Sequence, residues 1–233
     1  MKSSYLTLLF AVLKKELTVE WRTKEVLYTS LFFAVLLATV FMFGFFEGDR
    51  FSRTGGYIKL GPGVMWIGLI FAATIGFNRS FSREKESGSL EALRLIPGVH
   101  RPLFWGKCCA NLIVLGLVEI ILVPAVAIFF PMPLFTMLPR LAIVLFLGSV
   151  GLVALGTLLS ATLVNIRLRE VLMPLVLFPL IVPLLVAAVS ATEQLILNNL
   201  ESYWDWTFLM IAFDAIYLVM ANWLAVTVLE STE

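Results

Sequence analysis

The stretch from Leu141 to Val164, LAIVLFLGSVGLVALGTLLSATLV, runs for 24 residues without a charged side chain. A helix needs about 20 mostly apolar residues to cross the hydrocarbon core of a bilayer. The length and composition of this stretch therefore predict a membrane-spanning helix.

The rest of the chain repeats this pattern. Apolar residues make up 60% of the 233 residues, charged residues make up 14%, and the mean hydropathy is +0.97. Soluble domains are only about half apolar. The composition therefore excludes a soluble globular protein. Including the first stretch, six apolar runs have spanning length: Val26–Phe46, Gly61–Phe77, Cys108–Phe130, Leu141–Val164, Val171–Ala191 and Thr207–Leu229.

We therefore predict an all-α, polytopic membrane protein, with an N-terminal amphipathic elbow segment at residues 1–25 and a six-helix transmembrane domain at residues 26–233. In the elbow segment, apolar side chains recur near helical spacing, which predicts a helix lying on the membrane. Its cations Lys14, Lys15, Arg22 and Lys24 can meet lipid phosphates. A cytoplasmic extension of the first span is the alternative.

The basic residues predict how the spans are oriented. Of the 17 Lys and Arg residues, 13 lie in residues 1–25, 78–107 and 165–170, and the alternate connections hold four. Cytoplasmic loops of membrane proteins carry the excess of Lys and Arg. Both termini and the long charged loop are therefore predicted to lie in the cytoplasm of a multi-pass inner-membrane protein.

The cytoplasmic loop 78–97 mixes both charge signs with an ordered hydrophobic spacing. Ser89 can cap a short helix on which Leu90 and Leu93 share a face, Glu91 suits its positive N-terminal end, and Pro97 stops it. A helix this short needs a partner surface, which a docking cytoplasmic subunit would supply. A solvated loop is the alternative.

Three polar residues interrupt the predicted spans. Glu119 lies at the middle of the third span, where a carboxylate is costly unless it is protonated, partnered or turned to a polar cavity. Asp214 and Asn222 lie in the sixth span and are candidates for helix-to-helix hydrogen bonds. A structural role and a role in a transport path both stay open for Glu119 and Asp214.

The fifth span contains Pro174, Pro179 and Pro183. Each proline removes a backbone donor and loosens or kinks a helix, so a flexible gate is one outcome. Simple shaping of helix packing is the other.

Several kinds of chemistry are absent from the sequence. No Gly-x-x-x-x-Gly-Lys-Ser/Thr motif occurs, so we predict that the chain is not itself the ATPase. The only histidine, His100, falls in the predicted cytoplasmic loop, and we interpret it as a loop residue. The net charge of +1 gives no support for a nucleic-acid partner. We predict a non-catalytic subunit without a metal or a directly bound cofactor.

The loop segment Glu84-Lys85-Glu86-Ser87-Gly88-Ser89-Leu90-Glu91-Ala92-Leu93, followed by Pro97, resembles the signature of the second-type ABC exporter membrane domains. In that superfamily this segment contacts the ATPase. The resemblance therefore implies ATPase-coupling roles for the charged and apolar residues of the loop, namely Arg83, Glu84, Glu86, Gly88, Leu90, Glu91 and Leu93.

A closer resemblance covers nearly the whole chain. It rests on Lys15-Glu16-Leu17, Glu20-Trp21-Arg22-Thr23-Lys24-Glu25, Gly76-Phe77-Asn78-Arg79-Ser80-Phe81, Gly106-Lys107 and the run from Arg169 to Leu180, REVLMPLVLFPL. These motifs resemble the haem exporter B family, the membrane proteins of the ABC transporter for bacterial cytochrome c maturation.

This resemblance implies a membrane permease subunit that couples a partner's ATP hydrolysis to the release of a haem-loaded periplasmic chaperone or to haem export. The implied partners are a cytoplasmic ABC ATPase, which holds the ATP, a haem-handling membrane subunit and the periplasmic haem chaperone. A second copy of the chain and the lipid bilayer are further partners. The alternatives are an ABC exporter permease for lipid, polysaccharide or drug, and a non-transporting assembly scaffold.

Overall fold

The computed structural model describes residues 5–45, 56–88, 98–130 and 132–231. These residues form eight α-helices and one short 3-10 helix, and none of them lies in a strand. The helices are α1 (Tyr5–Thr23), α2 (Glu25–Phe45), α3 (Gly56–Ser80), α4 (Ser82–Glu86), α5 (His100–Phe129), α6 (Leu138–Leu163), α7 (Arg169–Ile196) and α8 (Leu200–Ser231), and the 3-10 helix is Leu134–Met137.

The prediction of an all-α protein with six membrane-spanning helices is confirmed. Six helices in the described part of the chain are long and apolar enough to cross a bilayer, and they correspond to α2, α3, α5, α6, α7 and α8. The predicted start of the third span was wrong, because α5 begins at His100, eight residues before Cys108. His100 and Lys107 therefore belong to a helix and not to a loop.

Two of the six helices form the centre of the bundle. The apolar window of α3 is 67% buried and that of α6 is 72% buried, against 22–33% for the other four. The other four helices pack around this pair, with α2 and α5 against α3, and α7 and α8 against α6. Most of the surface of the peripheral helices therefore remains for lipid or partner subunits.

Small residues let α6 approach its neighbours closely. A side chain at Gly148 would collide with Trp66 of α3, and one at Gly156 would collide with Phe77 of the same helix. Ser160 also donates a hydrogen bond to the Phe77 carbonyl at 2.6 Å. Without a hydrophobic force between helices in lipid, such close packing and interhelical hydrogen bonds hold a bundle together.

The elbow segment is a separate helix. The chain breaks at Lys24, whose φ of 52° lies in the left-handed region, and α2 begins at the next residue. Glu20 stabilises this break because its Oε1 accepts a hydrogen bond from the Leu27 amide at 2.9 Å, near the free N-terminus of α2. Helix α1 then packs mainly against α5, where Gly106 leaves room for Val12.

Candidate functional site

The short helix α4 is joined to the bundle through one buried lysine. The Lys107 side chain of α5 is fully buried, and its Nζ donates hydrogen bonds to Glu16 Oε1 of α1 at 2.9 Å and to Glu84 Oε1 of α4 at 2.9 Å. It also donates to the Ser80 carbonyl at the end of α3. An ammonium has three N–H donors, so every donor of Lys107 is occupied.

A second lysine completes this group of charges. Lys15 of α1 pairs with Glu84 and also with Glu16, the latter at 3.2 Å. Burial lowers the pKa of the Lys15 ammonium, but the hydrogen bond to Glu84 and the charge of Glu16 outweigh it and raise the pKa above its ordinary value. Two cations and two carboxylates thus form a neutral set, which we call the Lys107 cluster: Lys15, Glu16, Glu84 and Lys107.

The Lys107 cluster buries charged groups, which costs free energy unless each charge keeps its partner. The Glu84 side chain is 1% exposed and that of Lys107 is 0% exposed, so both charges have left water. Removing one partner of such a pair costs about 3–5 kcal/mol, because the other charge stays buried without compensation. The Phe81 ring, 4.8 Å from Lys107 Nζ, adds a cation–π contact.

Arginines make a second, more exposed connection, which joins α3 and α4 to α1 and α2. Arg79 pairs with Glu25 at the start of α2. Arg83 Nη2 lies 3.7 Å from Glu20 Oε2 and 3.5 Å from Glu25 Oε2. Surface pairs of this kind contribute about 1 kcal/mol or less each, so they orient the elbow helix more than they stabilise it.

The other side of α4 contacts the connection between α6 and α7. Lys85 Nζ donates a hydrogen bond to the Val164 carbonyl at 2.9 Å, and Arg169 Nη2 pairs with Glu86 Oε1 at 3.1 Å. Between these elements lies an open groove of about 440 Å³, which we call the charged groove. It is lined by Ile75, Asn78, Arg79, Ser82, Arg83, Glu86, Arg169 and Glu170.

The structure separates the loop residues for which an ATPase contact is predicted. Glu84 is buried within the chain, whereas the Glu86 side chain is 70% exposed and Gly88 is exposed with a φ of 66°. Arg83 is partly exposed in the charged groove. The remaining predicted residues, Leu90, Glu91 and Leu93, lie outside the described residues.

The polar residues of the spans are placed on helix contacts. Glu119 of α5 accepts a hydrogen bond from the Ser149 hydroxyl of α6, and Asn222 of α8 accepts one from Trp105 Nε1 of α5 at 3.4 Å. Asp214 of α8 is 4% exposed and packs on Gly151 of α6. Neither carboxyl oxygen of Asp214 has a hydrogen-bond partner in the described part of the chain.

The three prolines lie within one continuous helix, α7. Pro179 and Pro183 lie on its exposed face, and Pro174 is partly buried. Between Pro179 and Pro183, the carbonyl of Leu180 accepts a hydrogen bond from Tyr217 Oη of α8 at 2.7 Å. Neighbouring helices commonly satisfy backbone groups near prolines in membrane proteins.

Sequence reasoning missed the central residue of this site. Lys107 was counted as a loop charge, and Glu16 was not singled out, although both occur in the motifs that carry the family resemblance. The position of Lys107 alone gives no clear signal, because a lysine at the start of an apolar span can also extend its ammonium to the interface. The partners themselves are 91 and 23 positions away along the chain, so spacing does not indicate them.

Comparison with known proteins adds two findings. The family described as CcmB protein matches residues 7–231 of this chain. Heme exporter protein B of Haemophilus influenzae is 27% identical over 187 residues, which cover 80% of this chain and 82% of that protein.

Proposed function

The chain belongs to the CcmB protein family, and from that premise we propose that it is the membrane subunit of an ABC-type complex for cytochrome c maturation. It is a multi-pass inner-membrane permease subunit of the haem export system, with both termini in the cytoplasm. The ATP is hydrolysed by a separate cytoplasmic ATPase. The haem is handled by the complex, with a haem-handling membrane subunit and a periplasmic haem chaperone as the other partners.

One observation carries the coupling role. Glu84, in the segment expected to meet the ATPase, is buried on Lys107 and connects α4 with α1 and α5. Lys85 and Glu86 connect the same five-residue helix with the start of α7 and the loop before it. A force on α4 therefore reaches helices on both sides of the bundle, which a solvated loop would not transmit.

The exposed side of α4 is the surface that we assign to the ATPase. Glu86 and Glu170 are exposed at the charged groove, beside Arg79 and Arg169. A groove of mixed charge suits a partner element that presents both signs, because complementary charges fix the register of docking. Glu84 then acts from within as a positioning residue, and Glu86 is a surface contact.

The mechanism follows from these two roles. Closure of the ATPase on bound ATP displaces α4, and the Lys107 cluster carries the displacement into α1 and α5. The change is sustained only if the ATP-bound partner has a higher affinity for one arrangement of the helices than for the other. The outcome is release of the haem-loaded chaperone on the periplasmic side, or haem export.

A deletion strain tests the function. We expect haem-stained c-type cytochromes to disappear when the gene for this chain is deleted and to return when the wild-type chain is supplied. Glu86→Lys should lower co-purification of the ATPase, because it places a cation beside Arg169. Glu193→Lys, a charge reversal near the far end of α7, is the matched control and should leave co-purification unchanged.

Other outcomes would select a different function. Normal cytochromes in the deletion strain, with ATP-dependent movement of a lipid, polysaccharide or drug in vesicles, would replace the haem assignment by a generic exporter. Normal cytochromes in cells whose ATPase binds but does not hydrolyse ATP would make the chain a passive assembly scaffold.

A further inference from the structure

A deep groove lies between the elbow helix and the bundle, apart from the Lys107 cluster. It encloses about 750 Å³ and is bounded by α1, α2 and α5. Its wall is mainly apolar, with Phe10, Leu13 and Leu17 from α1 facing Ile113 and Leu117 from α5. This volume falls within the range of about 300–1,000 Å³ that is usual for small-molecule sites.

Three cations lie along the same groove. Lys14, Arg22 and Lys24 all line it, and none of them forms an ion pair with another described residue. The acidic residue of the lining, Glu20, is already engaged by the Leu27 amide at 2.9 Å and by Arg83 at 3.7 Å. The groove thus presents positive charge that no residue in the described ranges neutralises.

The neighbouring Lys15 differs from these three cations, because it is ion-paired within the protein. Lys15 follows Lys14 directly but pairs with Glu16 and Glu84 of the Lys107 cluster. Lys24 Nζ instead lies 6.0 Å from the ring centres of Trp21 and Tyr28, two exposed aromatic side chains of the groove. Aromatic and basic side chains together are typical of the boundary between lipid headgroups and acyl chains.

We propose that this groove binds an anionic phospholipid of the inner leaflet, with its acyl chain on the apolar wall and its phosphate among Lys14, Arg22 and Lys24. Two features of the groove indicate this ligand. Cations without an ion-pair partner among the described residues suit a phosphate, and an apolar wall between an interfacial helix and two spans suits an acyl chain. The lipid would fill the space between α1 and α5 and fix the angle of the elbow helix. This inference does not depend on the proposed function.

Photo-cross-linking tests the site. The full chain is reconstituted in phosphatidylcholine vesicles that contain a trace of a diazirine-bearing phosphatidylglycerol or, separately, of a diazirine-bearing phosphatidylcholine. We expect the anionic probe to label the peptides containing Leu13 and Leu117 several-fold more than the neutral probe. The triple variant Lys14→Gln, Arg22→Gln, Lys24→Gln should lower this labelling by at least about tenfold, because each cation attracts the anionic headgroup.

Two controls separate a seated lipid from general surface attraction. The variant Arg101→Gln, Arg167→Gln removes two charges from exposed positions outside the groove on the same cytoplasmic side and should keep the labelling. Leu117→Trp fills the groove with the cations in place and should abolish labelling, whereas Ile128→Trp, exposed on the same helix, should not.

The proposal is overturned if both probes label equally, or if the triple variant labels like the wild type. Absence of labelling by either lipid would overturn it as well. Displacement of the anionic probe by haem but not by excess phosphatidylglycerol would assign the groove to haem.

Discussion

Lys107 balances the charge of two carboxylates, because its ammonium donates hydrogen bonds to both Glu16 and Glu84. Burial disfavours the charged form of Glu84, but Lys107 and Lys15 beside it hold the pKa of that carboxyl well below its ordinary value. The same reasoning separates Glu84 from Glu86, two residues further on, which is open to solvent. Adjacent acidic positions in one motif therefore have different roles.

Replacing Lys107 by methionine should lower the free energy of unfolding by about 3 kcal/mol, because the buried Glu84 then keeps only the half-exposed Lys15 as a cationic partner. Adding Glu84→Gln should restore part of the loss, since the buried negative charge is then removed. Unfolding in mixed micelles by added SDS gives both values. A single Lys107→Met variant as stable as the wild type would contradict the pairing.

Glycines on α6 make a second prediction at this scale. Gly156→Ala should cost about 1–3 kcal/mol because the added methyl meets the Phe77 ring. Gly116→Ala, in a span but with no atom within 4 Å of the new methyl, should be neutral or slightly stabilising. The same SDS titration compares them, and equal effects at the two positions would refute the packing of α6 on α3.

Among the helices, α4 and α7 are the two whose arrangement bears on movement. Helix α4 has only five residues and is held by side chains from its neighbours rather than by its own length. Helix α7 carries three prolines yet continues unbroken from Arg169 to Ile196. Because Pro179 and Pro183 face outward, they can change the bending of α7 without opening the core.

We predict that Pro179→Ala, Pro183→Ala restores two backbone donors and leaves the chain at least as stable in detergent, while c-type cytochrome production falls because α7 no longer bends. Haem staining of cells that carry the variant measures the effect. Val182→Ala, exposed on the same helix, is the control. Unchanged cytochrome levels in the proline variant would leave the prolines with a packing role only.

For the whole molecule, the sequence predicts the fold well and the site poorly. The six spans follow from apolar length, since a helix satisfies its own backbone hydrogen bonds in lipid and runs of about 20 apolar residues are long enough to cross as helices. The start of α5 was misplaced because His100, Arg101, Pro102 and Lys107 interrupt the apolar pattern of residues 100–107, whereas this segment packs on α1 and continues the helix. The Lys107 cluster was not foreseen because three of the motifs that carry the two resemblances meet there from separate parts of the chain, and spacing along the sequence does not indicate such contacts.

The orientation of the bundle gives a further prediction. In a background with Cys108→Ala and Cys109→Ser, Glu86→Cys should react with a membrane-impermeant maleimide only in inverted vesicles, and Asn198→Cys only in intact spheroplasts. The excess of Lys and Arg in alternate connections predicts that Glu86 faces the cytoplasm and Asn198 the opposite side. Labelling of Glu86→Cys from outside would invert the topology and remove α4 from reach of a cytoplasmic ATPase.

The most direct measurement for the coupling account is the amount of haem-stained c-type cytochrome divided by the amount of ATPase that co-purifies with the chain, in cells whose only copy carries Glu84→Gln. Because Glu84 is buried and acts through Lys107, we predict wild-type capture of the ATPase and a ratio several-fold below that of the wild type. A ratio equal to that of the wild type, with the variant inserted in the membrane at normal levels, would contradict transmission through the Lys107 cluster.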